Sequence, residues 1–294
     1  MRQSRWLVGA VAVVVGYVGT SAARQEPEYD LRGPAPQKGQ VTIHNRTIQI
    51  KNAKVAIKAG GMVIDAKRTF KSVVEYELEL LDVKDRLATK AQFRVVVDKT
   101  DTVTNVGGNE MEESKNGDLL GEVIVSERNA AGKWMRTLVG ARPNDEQKQA
   151  LDELSGPESN DDAYPAGKVK VGHKWEAKAA DFQHMFGLSI SERKGKLSMR
   201  LVRVERFNGE ECAVIETKGK VTGIEKTDEG DMNVEMELDG LTWQSLKTGI
   251  DVKDHAKGRI RMSGTIDQDG QRLDLDLTGP ITIEGTTRLK LKMK

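Results

Sequence analysis

From residue 164 to the C-terminus, apolar and polar side chains take turns along almost every segment. Leu197, Met199 and Leu201 form one such row, and Met232, Val234, Met236 and Leu238 alternate with Asn233, Glu235, Glu237 and Asp239. Ile260, Met262 and Ile266 alternate with Arg259, Arg261 and Thr265, and Leu273, Leu275 and Leu277 with Arg272, Asp274 and Asp276. Leu289, Leu291 and Met293 repeat the pattern among Arg288, Lys290 and Lys292. A period of two describes a strand with one dry and one wet face. Strands of a helix-covered parallel sheet would instead read as unbroken apolar runs, so the sheet is antiparallel. Turn signals at 207–210, 228–230, 268–270 and Gly285 are spaced for a meander. A sheet this long must hide its apolar face by rolling up or being covered. The expected fold is mainly β, α+β at most: a large antiparallel meander sheet rolled into a barrel, half-barrel or sandwich, with one or two short helices.

The stretch Tyr164 to Trp175 is where the chain changes character. Pro165 and Gly167 stop what precedes, Val169 and Val171 start the alternation, Gly172 marks a bulge or close approach, and Trp175 offers a core anchor. Upstream, Val74, Tyr76, Leu78 and Leu80 share one face of a strand over 73–82, with Glu75, Glu77 and Glu79 on the other. Its expected partner is 91–98, and a second hairpin is expected from 119–127 and 133–139. The polar run 98–117, with Gly107, Gly108, Glu110, Glu112 and Glu113, is read as a solvated loop. Over 143–155, Asn144 can cap a helix whose Ala150, Leu151 and Leu154 recur at helical spacing, with Gly156 and Pro157 ending it. The resulting division is a signal peptide at 1–23, a disordered lead-in at 24–39, a β unit at 40–142, a helix and linker at 143–163, and a second β unit at 164–294. One continuous sheet through both β units is consistent with this division.

Residues 1–23 have the three parts of a secretory signal: Arg2 and Arg5, an apolar run from Trp6 to Val18, and small residues up to Ala23. The run is shorter than the ~20 residues that a membrane span needs, so export to the periplasm or beyond is expected, with no transmembrane segment after cleavage. With 46 Lys+Arg against 45 Asp+Glu there is no field to recruit nucleic acid. The single cysteine, Cys212, excludes an internal disulfide and is read as a buried inert thiol.

Motifs of chemistry are scarce. His44, His173, His184 and His255 show no metal-ligand spacing, and no cofactor or metal is expected. Asp267 to Gly270 resembles the start of a calcium loop but reads better as a hairpin turn. His173, Asp181 and His184 form one local cluster, the basis of a third-ranked hydrolase reading. An apolar ligand would be met by Trp175, Phe182, Met185, Phe186 and Trp243, with 178–187 covering the open end of the sheet. No residue of the Val234 row is assigned to it. Small-ligand barrels often carry Gly-x-Trp on one face of their first strand; here Gly172 and Trp175 are three apart and fall on opposite faces of a regular strand.

Pro165, Val169, Val171, Gly172 and Trp175, preceded by the helix and followed by a meander with Gly279 and Pro280 near its end, resemble a family of uncharacterised secreted proteins of planctomycete-like bacteria, over about residues 143–294. The resemblance implies an exported β-rich protein and carries over no catalytic residue. The functional expectation is a non-enzymatic envelope or periplasmic protein that binds through a surface or an apolar cavity. The alternative is a carrier of lipid or another hydrophobic ligand, built as a half-barrel with a helical lid; lipid or another envelope protein is the expected partner.

Overall fold

The computed structural model describes residues 26–154, 156–157, 161–181, 190–227, 230–268 and 271–290. The expected leader and the segment 182–189 lie outside these residues. Strands β1 (Val41–Ala59), β2 (Met62–Lys84), β3 (Leu87–Val106), β4 (Asn109–Asn116), β5 (Val123–Arg128) and β6 (Trp134–Leu138) precede helix α1 (Asp145–Glu153). Strands β7 (Lys174–Lys178), β8 (Ile190–Phe207), β9 (Glu210–Thr227), β10 (Gly230–Ser245), β11 (Asp251–Gln268) and β12 (Gln271–Leu289) follow it. All twelve belong to one antiparallel sheet, in the order β6-β5-β3-β2-β1-β12-β11-β10-β9-β8-β7, with β4 paired to the far half of β3. β6 and β7 are its two edges, so the sheet is open and does not close into a barrel. The first and last long strands lie side by side, Thr42 opposite Leu289.

The strands are long because nothing interrupts the alternation; β2, with 23 residues, extends roughly 75 Å at the usual rise per residue. Where the chain must reverse, glycine pairs supply the two positive φ values of a primed two-residue turn: Gly60 and Gly61 between β1 and β2, and Gly107 and Gly108 between β3 and β4. The second pair corrects the reading of 98–117 as a loop. Val103, Thr104, Asn105 and Val106 run on in strand conformation, and Asn109–Asn116 returns beside them as β4. Every residue of β4 is exposed, so its composition carries no sign of a buried face although its backbone is a strand.

One face of the sheet, here the inner face, carries the apolar rows. Ile48, Ile50, Leu197, Met199, Leu201, Met236, Ile260, Ile281 and Ile283 are all no more than 5% exposed and belong to one core. A smaller core forms where Phe93, Ile124, Trp134 and Leu138 meet Leu151 of α1. That helix starts in a capping box: the Asn144 side chain accepts from the Gln147 N–H, and the Gln147 side chain accepts from the Asn144 N–H. The helix thus packs beside the β6 edge of the sheet.

The lead-in is not disordered over its described part. Tyr29 exchanges backbone hydrogen bonds with Val169 at 2.8 and 2.9 Å, and Leu31 is 1% exposed within the larger core. Arg86, in the β2–β3 turn, donates to the carbonyls of Arg32 and Gly33. Gly33 packs directly on Gly249, where a Cβ on Gly33 would collide with the Gly249 backbone. Residues 29–33 are therefore a strap across one end of the sheet. Prolines and charges hid it, because a single buried leucine and two backbone bonds leave almost no compositional trace.

Asp98 lies opposite Val74 of β2, at the point where the other edge of β3 passes from β5 to β4. Burial, with Asp118 nearby adding repulsion, raises its carboxyl above the ordinary range. Between the ordinary pKa of about 4 and the raised one, the folded chain holds a proton that the unfolded chain has lost. Stability contributed here falls as pH rises through that window. Asp98→Asn is expected to be more stable than the parent at pH 7, by up to about 1 kcal/mol because the exposed part of the group is screened, and no more stable at pH 3; urea midpoints at the two pH values check this.

Candidate functional site

The two described aromatic candidates do not converge. Trp175 is on the inner face, where its indole N–H donates to the Ala163 carbonyl at 2.9 Å and its ring stands 6.5 Å from Tyr164 and 6.0 Å from His173. Trp243 occupies an outward position of β10 opposite Val214, donates to Glu205 at 2.6 Å, and carries the Lys253 ammonium 4.8 Å above its ring. One is an anchor for the strap end, the other part of an outer aromatic and charged patch with Phe207. They line no common pocket. Phe182, Met185 and Phe186 lie outside the described residues, as does His184. Of the hydrolase cluster, Asp181 is engaged by the Lys178 N–H at 3.0 Å, and the whole of β7 separates it from His173, about 17 Å of strand. No described His, Cys, Asp and Glu residues group as a metal site. Cys212 is buried, and burial with Glu210 beside it pushes its thiol up, which keeps it protonated.

On the inner face, polar groups form a seam between the two cores. His44 stacks on Tyr76 at 4.6 Å and its ring nitrogens meet the hydroxyls of Thr42 and Thr287 at 2.8 and 3.2 Å. Arg46 reaches Asp254 at 4.0 Å, and burial raises the Asp254 carboxyl while Arg46 and His255 oppose the rise. These groups are spent on one another across β1, β2, β11 and β12.

Two concavities of the described residues open on the outer face. The smaller, about 400 Å³, lies over β8 to β11 among Lys194, Thr222, Asn233, Glu235 and Arg261. The larger, about 880 Å³, lies over β12, β1, β2 and the β3–β4 turn. A β-bulge makes it: the β1–β2 register shifts between Ile50 and Ala53, Asn52 takes a φ of 49°, and its N–H donates to Thr69 Oγ1 at 3.1 Å. The extra residue bends β1 away and hollows the outer surface beside it.

Across the floor of this cleft run Asn105, Lys67, Lys54 and Thr278, each directly opposite the next on adjacent strands. Lys54 and Lys67 face each other and, among the described residues, neither has a carboxylate within 4 Å, whereas several other cations of the wet face have one: Lys220 has Glu235, Lys218 has Asp239, Lys196 has Glu176 and Arg261 has Asp276. Sequence reasoning missed this pair, although counting outward from the Gly60–Gly61 turn sets 54 against 67. The signal was present but no apolar or motif pattern drew attention to it.

No protein-family model and no curated protein matches the chain. Among solved structures, a DUF1329 family protein from Desulfovibrio piger is similar at 12% identity and a TM-score of 0.11, covering 87% of this chain and 88% of that one. The outer membrane protein OprG from Pseudomonas aeruginosa is similar at 8% identity and a TM-score of 0.19, covering 88% of this chain and 99% of that one. No helix of the described residues is long and apolar enough to cross a membrane. The outer face is charged, the reverse of a lipid-facing wall.

Proposed function

We propose that the chain is an exported, non-enzymatic binding protein of the periplasm or the cell exterior, and that it binds through its outer face. The observation that carries this is the contrast between the faces. The inner apolar rows are filled by their own side chains, with Ile215, Met236, Ile260 and Ile283 wholly buried, while a cleft of about 880 Å³ opens on the wet side. Ligand sites are concave and hold a few unspent polar groups. The outer cleft has both properties.

A second reading, a carrier of lipid or another hydrophobic ligand, draws on the apolar tip of the β1–β2 hairpin, where Met62 is 67% and Val63 59% exposed. Native mass spectrometry of protein gently purified from its own envelope separates the two. The outer-face reading expects no lipid adduct. One tightly held lipid per chain, lost in an Ile64→Asp variant, would overturn it in favour of the carrier.

A further inference from the structure

We propose that the outer cleft is a binding site for a polyhydroxylated oxyanion, of the sugar-acid or sugar-phosphate kind, whose anionic group sits between Lys54 and Lys67. This rests on the reading of the outer face as the binding face and specifies its ligand.

The argument starts from the strand register. Because Ala59 and Met62 flank the two-residue turn, alternate pairs outward from it exchange hydrogen bonds, and Lys54 with Lys67 falls in the non-hydrogen-bonded class. Side chains of such pairs start closest together, about 4.5–5.5 Å apart at Cβ, where like charges destabilise a sheet. The comparison within the same face is direct. Lys196 and Lys220 are also opposite each other, on β8 and β9, but each has its own carboxylate, Glu176 at 2.9 Å and Glu235 at 2.8 Å. Lys54 and Lys67 have none among the described residues, and both line the cleft.

The remaining lining fits a ligand larger than a bare ion. Asn105 Oδ1 accepts from the Gly108 N–H at 3.1 Å, which leaves its amide donors for the cleft. Thr69 Oγ1 accepts from Asn52 and keeps its own hydrogen to give. Three carboxylates stand around this cationic centre. Asp65 is two residues along from Lys67 on the same face, Glu110 lies beyond Asn105, and Asp276 is held by Arg261 at 2.6 Å. An anion bound at the lysines keeps its distance from these acids, and hydroxyls on the rest of the molecule donate to them. Charge-assisted bonds from two ammonium groups supply the hold, and the rim supplies the choice of ligand.

Isothermal titration with glucose 6-phosphate, glucuronate, inorganic phosphate and glucose tests this on the full chain. The expected result is that at least one of the two sugar anions binds, with inorganic phosphate and glucose each at least about tenfold weaker, and that K54Q/K67Q lowers the affinity for the sugar anion at least about tenfold, as expected when charged partners are lost. The double variant should fold, because neutralising the pair removes a repulsion, and its unchanged or raised Tm is the control. Equal binding of inorganic phosphate and glucose 6-phosphate would overturn the polyhydroxylated ligand. Sugar-anion affinity unchanged in K54Q/K67Q, or no binding of either sugar anion, would overturn the site. A lipid adduct in the mass spectrum would instead remove the reading beneath it, so the two failures are distinguishable.

Discussion

Trp175→Ala is expected to destabilise the protein by about 3 kcal/mol, a fall in Tm of roughly 6–12 °C for a chain of this size. The indole joins two parts of the chain that share no strand: its ring packs in the larger core beside Tyr164, and its N–H is spent on the Ala163 carbonyl. Truncation removes the packing and leaves that carbonyl without its partner. Trp175→Phe keeps most of the ring and should cost only about 1 kcal/mol, the net worth of one hydrogen bond. Urea unfolding of both variants checks the ordering. A loss under about 1 kcal/mol for the alanine variant would show that the strap end is held by something other than this side chain. Neither substitution should alter sugar-anion binding, since Trp175 is on the inner face and Lys54 and Lys67 are on the outer one.

Ile260→Ala is expected to cost about 4 kcal/mol, near the upper part of the range for a large-to-small change in a core. Ile260 is wholly buried, opposite Met236 on one neighbour and Gly279 on the other. Glycine on one side means that no adjacent side chain can move in to fill the space, so the cavity persists. Its neighbour Arg259 points to the wet face, and Arg259→Ala should stay within about 0.5 kcal/mol of the parent. Adjacent residues would then differ several-fold in cost. Chemical denaturation of the pair reads this directly, and equal costs would contradict the two-sided strand.

How much of this was legible depended on the length scale of the pattern. The rows Met232 to Leu238 and Leu273 to Leu277 announced one-sided strands because burial of one face imposes a period of two over many residues. Helix α1 was equally visible through Asn144, Ala150, Leu151 and Leu154, since a cap and a 3.6-residue period are local. β4 was misread because a strand exposed on both faces has no period to show, and its only mark was the Gly107–Gly108 turn. The strap at 29–33 was missed because its hold comes from Val169, Arg86 and Gly249, all distant in sequence. The outer cleft was not visible for a related reason. Large aromatic residues were favoured as ligand contacts, and of the described ones Trp175 and Trp243 face opposite ways; the cleft instead holds two lysines that look ordinary until the turn sets them face to face.

The lateral contact between β1 and β12 has a consequence for how such a protein comes into being. The strands that occupy the middle of the sheet, β1 and β12, are the first and the last of the described strands in chain order, separated by more than two hundred residues of sequence. Ordered hairpins can assemble on either flank during synthesis, but the halves can be stitched together only when the tail arrives. Contacts this remote make folding slow, and until the seam is sewn both flanks present a raw central border to any other unfinished chain. A cell making this protein has reason to keep it unfolded or escorted until its last strand is free.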